Sequence, residues 1–156
     1  MSLDRFLRLG ETMTLGTHTF TAQEIIAFGR AYDPQPFHTD PEAARESVFG
    51  RLCASGWHTC AMWMRYNLEG IERDVFGDWD GSGAKPEFGP SPGFSNLKWL
   101  KPVYEGDAIT FTRAVTAHRP LASRPGWHLV TLAAAAHRQD GEPVMTFDNG
   151  VLMKAT

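Results

Sequence analysis

The last third of this 156-residue chain constrains its fold most: three stretches with strand-like patterning follow one another with no helical pattern between them. Over residues 107–118, Ile109, Phe111, Val115 and Ala117 stand opposite Thr110, Thr112 and Thr116. Over 127–138, Trp127, Leu129, Ala133 and Ala135 stand opposite His128, Val130, Leu132 and Ala134, and the small side chains would let a helix approach closely. Residues 144–153 form the third stretch, and 94–100 add another that ends at Lys101-Pro102. Strands joined by short turns pair antiparallel, since a parallel pair needs a crossover of a dozen residues or more. The chain is therefore expected to be α+β, with a helix over one face of an antiparallel sheet.

The first half supplies the helices. Residues 12–20 read as a strand. Thr21-Ala22-Gln23-Glu24 then has the form of a capping box and opens a helix over 22–32, which Asp33-Pro34 ends. Asp40-Pro41 caps a short helix over 42–47. A longer helix begins near Ser55-Gly56, where Trp57, Ala61, Met64, Leu68 and Ile71 recur at helical spacing and Trp63 widens the stripe. That stripe is expected to be the helix's buried side. Residues 73–93 hold five glycines and three prolines, the composition of a long functional loop. Its aromatics Trp79 and Phe88 would either pin the loop down or line a pocket.

Composition limits the partners. Hydrophobic residues make up 42%, charged residues 21%, and the net charge is -3 with no basic cluster. A nucleic-acid or anionic-membrane surface would need such a cluster, so neither is expected. A chain of this size buries roughly 68–70% of its unfolded surface and is expected to form one domain over 1–156. No apolar run approaches the ~20 residues that cross a bilayer, and the first residues lack the pattern of a signal peptide. Cys53 and Cys60, seven positions apart along a helix, would sit roughly 10 Å from each other. That is too far for a disulfide, and two reduced thiols suggest the cytoplasm. Cys53, Cys60, His38 and His58 lack the paired short spacings of a zinc site, so no metal is expected.

The chemistry concentrates in Asp33-Pro34-Gln35-Pro36-Phe37-His38. Two prolines stiffen the segment between a carboxylate and an imidazole, the commonest acid–base groups. Alone, the two would read as a turn aspartate and a loop histidine. They are not alone. The run continues through Thr39-Asp40, Ala43-Ala44-Arg45, Phe49-Gly50-Arg51-Leu52 and Ala54-Ser55-Gly56, and returns at Trp99-Leu100-Lys101-Pro102-Val103 and Gly106-Asp107. In order and spacing this resembles the signature of the MaoC-like dehydratases, which include the (R)-specific enoyl-CoA hydratases.

The resemblance implies a hot-dog fold, an antiparallel sheet wrapped around a long central helix. It implies that Asp33 and His38 hold a water and pass protons, and that Gly56 offers its amide to a thioester oxygen. Gln35, Phe37, Ser55 and Trp57 would border the substrate. The activity implied is hydration or dehydration at the α,β double bond of an acyl thioester. No cofactor is implied beyond the CoA or pantetheine of the substrate, and the assembly implied is a homodimer or higher homo-oligomer. Two positions depart from the family pattern. Gln35 stands where asparagine is usual, and no hydroxyl lies at Trp63-Met64-Arg65, where some hydratases keep a serine in support of the aspartate. Support for Asp33 is therefore expected from elsewhere. A hot-dog thioesterase is the alternative, although no acidic residue lies between Trp57 and Asn67. A non-catalytic acyl-CoA-binding module is a third, and it would need neither Asp33 nor His38.

Overall fold

A computed structural model describes residues 2–71, 73, 80 and 83–155. Its elements are α1 (Leu3–Phe6), β1 (Thr12–Thr19), α2 (Ala22–Tyr32), α3 (Pro36–Thr39), α4 (Pro41–Arg45), α5 (Gly56–Gly70), β2 (Glu87–Phe88), β3 (Gly93–Trp99), β4 (Ala108–Pro120), β5 (Trp127–His137) and β6 (Pro143–Lys154). The strands form one antiparallel sheet in the order β1-β4-β5-β6-β2, with β3 also pairing β6. The sheet curls around α5, the hot-dog arrangement. Trp79 lies outside the described residues.

Local signals explain the boundaries. Thr21 accepts a hydrogen bond from the Glu24 amide and starts α2, and Asp40 accepts from the amides of Glu42 and Ala43 and starts α4. The 33–38 segment is not merely a stiff loop: Pro36 is the first residue of the one-turn α3, which carries His38.

The sheet's inner face follows the alternation with two changes. Ile109, Phe111 and Val115 are buried as expected, but Arg113 shares their side, while Ala117 is exposed beyond a register shift between Val115 and Ala117. The buried Arg113 guanidinium donates to the Asn67 side-chain oxygen at 2.9 Å, which ties β4 to α5. Along β5, Val130, Leu132, Ala134 and Ala136 point inward. Ala134 and Ala136 share the core with Trp63, which is fully buried and donates its indole N–H to the Thr112 carbonyl at 2.9 Å.

The expectation for α5 is corrected. Its buried residues are His58, Thr59, Trp63, Asn67 and Gly70. The stripe of Trp57, Ala61, Met64 and Leu68 lies on the exposed side, with Leu68 57% exposed. Periodicity identifies an apolar stripe but does not say which surface it meets. Here the inner side is filled by one tryptophan and by the polar residues His58, Thr59 and Asn67.

His58 shows how that polar side is held. Its ring stacks on Phe28 with centroids 4.6 Å apart and meets the edge of Phe20, so it joins α2 to α5. Glu24 lies 3.9 Å from His58 Nε2 and is itself bonded to His18. Burial pushes the His58 imidazolium pKa down to about 4; Glu24 works against that shift and His18 adds to it. The unfolded chain therefore binds a proton at His58 near pH 6.5 that the folded chain refuses until about 4. Stability should fall as pH drops through that window, by up to about 3 kcal/mol. Urea titrations between pH 7 and 4 should show this slope in the wild type and lose most of it in His58→Phe; an equal slope in both would remove His58 as its source.

Candidate active site

Four segments converge at the amino end of α5. The end of α2 delivers Asp33, α3 delivers His38, the strand-like step before α5 delivers the Cys53 carbonyl, and α5 itself begins with Ser55 and Gly56. Close packing of α2 on α3 depends on Gly29: a Cβ there would stand 2.6 Å from the His38 carbonyl oxygen.

Asp33 is held from two sides. Gln35 donates its side-chain amide to Oδ1 at 2.8 Å, and Ser55 donates its hydroxyl to Oδ2 at 2.7 Å. The same Ser55 oxygen accepts the Trp57 amide and so caps α5. The support that the sequence leaves open is thus supplied by the helix's own cap and by Gln35. Burial raises the Asp33 pKa, but the bonds from Gln35 and Ser55, with the nearby His38, together hold it below the ordinary carboxylate value. Asp33 is a carboxylate at neutral pH.

The tautomer of His38 follows from its partner. Nδ1 lies 2.6 Å from the Cys53 carbonyl oxygen, which can only accept, so Nδ1 carries the hydrogen. In the neutral ring the lone pair is then on Nε2, which sits 3.4 Å from Asp33 Oδ2. Two acceptors side by side form a place for a water that donates to both. The Cys53 thiol beside this histidine is no competing nucleophile: burial, with help from the Asp33 charge, pushes its pKa up to about 11.

The third point is the Gly56 amide. As the first residue of α5 it precedes the intrahelical ladder, and it makes no hydrogen bond among the described residues. Asp33, His38 and Gly56 line one cavity of about 550 Å³, within the range of small-ligand sites. Gln35, Phe37 and Trp57 line it too, while Ser55 acts from behind Asp33. Phe37 meets the His38 ring edge-on at 4.6 Å. Phe88 lines a different cavity, with Phe6 and Met64. Sequence reasoning missed the Cys53 carbonyl, which carries no side-chain signal, and Trp99, whose indole covers Gly56 so closely that a Cβ there would lie 2.3 Å from it.

Comparison with known proteins decides the family: the MaoC like domain matches residues 8–126. The chain belongs to the MaoC-like family. This MaoC-like protein is 33% identical to a MaoC-like dehydratase from Rhodospirillum rubrum, over 100% of this chain and 98% of that one, with a TM-score of 0.78. It is 26% identical to the (R)-hydratase from A. caviae involved in PHA biosynthesis, over 95% and 96% of the two chains, with a TM-score of 0.62. It is also 25% identical to the uncharacterized protein YdeM of Bacillus subtilis strain 168, over 99% of each. Among the described residues no cluster of histidine, cysteine and carboxylate side chains could hold a metal, Cys53 and Cys60 are free thiols, and no helix is long and apolar enough to cross a membrane.

Because Gly29 is what lets α3 sit against α2, Gly29→Ala should cost about 1–3 kcal/mol by urea denaturation. It should also shift the NMR signals of the His38 ring. Unchanged stability with an unshifted His38 would take Gly29 out of the site's framework.

Proposed function

We propose that this protein adds water to, or removes it from, the α,β double bond of an acyl thioester carried on CoA or on the pantetheine of a carrier. The observation that carries the reading is the placing of Asp33 Oδ2 and His38 Nε2, 3.4 Å apart, in one cavity with the Gly56 amide. The relatives named above, a MaoC-like dehydratase and an (R)-hydratase, support the same reaction class.

The thioester carbonyl oxygen accepts from the Gly56 N–H, next to the partial positive charge of a 15-residue helix's amino end. Water lies between Asp33 and His38 and donates to both. In hydration its oxygen bonds to the β-carbon while the pair takes one of its protons. The displaced π electrons move to the carbonyl oxygen, where the Gly56 amide meets the growing enolate charge. Such a donor contributes about 10²–10³ in rate in other enzymes. The enolate then collapses, and the α-carbon takes a proton from the pair, which ends the cycle as it began. The pair acts as a coupled unit, so neither group owns one step. The Cys53 carbonyl keeps Nε2 aimed at the water, and Gln35 and Ser55 keep the carboxylate ionised and oriented.

We further propose that the protein works as a homodimer. Trp57, Leu68, Phe94 and Trp99 are 46–57% exposed, and among the described residues β3, to which Phe94 and Trp99 belong, pairs only with β6. Exposed apolar surface and a free strand edge are what a second copy would cover.

Asp33→Asn and His38→Ala should each lower hydration of a short enoyl-CoA, followed by loss of enoyl absorbance, by about 10²–10⁴-fold with little change in melting temperature. Ser55→Ala should show a smaller loss. Near-normal turnover in either of the first two variants would end the mechanism. Release of free thiol without loss of the double bond would replace it by thioester hydrolysis. Sedimentation equilibrium should give the mass of two chains, and a monomer at micromolar concentration would refute the dimer.

A further inference from the structure

Three cavities lie in sequence along the exposed stripe of α5. The first is the 550 Å³ cavity around Asp33. The second, about 330 Å³, is lined by Trp57, Ala61, Met64, Phe94 and Leu97 among others. The third, about 200 Å³, meets the second at Met64, Ser91 and Asn149. Among the described residues the first two share a single lining side chain, Trp57.

What separates them is a small wall. Trp57 stands edge-on to Trp99, with ring centroids 5.0 Å apart and planes at 84°. Trp99 lies against Gly56, and one turn further along α5 the Cys60 thiol is 3.4 Å from the Met145 sulfur. Met145 lines the first cavity and Cys60 the second, so this pair of sulfurs continues the partition beneath the indoles. The wall touches the residue whose amide, in the reaction proposed above, holds the carbonyl. An acyl tail running along α5 from that carbonyl meets the indole pair after a few carbons, although apolar room lies beyond it.

We infer that Trp57 and Trp99 set the acyl chain length, confining the substrate to short acyl thioesters and closing off the groove behind them. This rests on the hydratase reading for its substrate and deepens that reading. The two aromatic side chains suit the task. They are large and rigid, they meet each other edge-on, and both are about half exposed rather than part of the buried core, so truncating either opens the wall without emptying the hydrophobic interior. The groove behind is largely apolar, so a longer tail gains contact there once admitted.

The test compares kcat/KM for butenoyl-CoA and decenoyl-CoA in the wild type, Trp57→Ala and Trp99→Leu. Calorimetry of the saturated butanoyl- and decanoyl-CoA with the same proteins reads binding independently of turnover. The wild type should favour the short substrate, and each variant should shift the ratio towards the long one by at least about tenfold. The inference is overturned if the wild type handles both lengths equally, or if a folded Trp57→Ala keeps the wild-type ratio. If hydration proceeds with no change in length preference, the wall fails and the hydratase reading stands. If no enoyl thioester is hydrated but binding of the saturated pair discriminates as described, the hydratase reading fails and the wall stands. If no thioester is bound or turned over, both fall.

Discussion

The Ser55 hydroxyl is where folding and chemistry meet in this protein. Its oxygen accepts the Trp57 amide and so starts α5, and its hydrogen goes to Asp33 Oδ2. A serine hydroxyl has one hydrogen to give and lone pairs to receive, and here both capacities are used. Asp33 and the Gly56 amide are therefore placed relative to each other by a single atom. Neither can drift without loosening the other. The carboxylate stands at the end of one helix and the free amide at the start of another, 23 residues further along the chain, and one short bond chain fixes their geometry.

The surroundings then divide labour between the two titratable groups. Asp33 is partly buried, which alone would favour its neutral acid, but three neighbours that prefer the charged form outweigh burial. His38 is turned the other way round. Its backbone partner accepts the Nδ1 hydrogen, so that in the neutral ring Nε2 is the acceptor. The pair is thus two acceptors facing one space, which suits a water molecule better than a direct hydrogen bond between the two groups. Their 3.4 Å separation agrees with that.

Much of this was legible before the structure. The capping box at Thr21, the proline stop after Asp33 and the alternation over the last strands depend on local chemistry, which a sequence displays. Asp33, His38 and Gly56 are candidates through the resemblance of their run to the MaoC-like signature, and the fold brings the three to one cavity. What stayed hidden is non-local. Nothing beside Ser55 announces a hydrogen bond to a residue 22 positions earlier, and a backbone carbonyl such as that of Cys53 has no letter in the sequence. The place of Arg113 on the inner side of β4 depends on a partner, Asn67, that is 46 residues away. The face of α5 was misread for a related reason. Trp57, Ala61, Met64 and Leu68 form a stripe whatever lies opposite, and only the folded sheet shows that Trp63 with His58, Thr59 and Asn67 takes the inner side.

That inversion bears on function. An amphipathic helix normally turns its apolar stripe to the core because burial supplies the drive to fold. Here the inner side is held by one large aromatic ring, the stack of His58 on Phe28 and the Arg113–Asn67 bond, so the stripe is not needed for the core. It is left to line cavities that begin at the Gly56 amide and follow the helix away from it. A ligand whose polar head is fixed at a helix's amino end and whose tail is apolar needs such a surface beside that end. A second chain laid over the same stripe would enclose the tail as well as hide the surface. On the function and the dimer proposed above, the exposed apolar side of α5 would answer two demands at once, a roof for the protomer and a channel for the acyl group, and the inferred wall of the tryptophan pair at its start would set how far along that channel a substrate reaches.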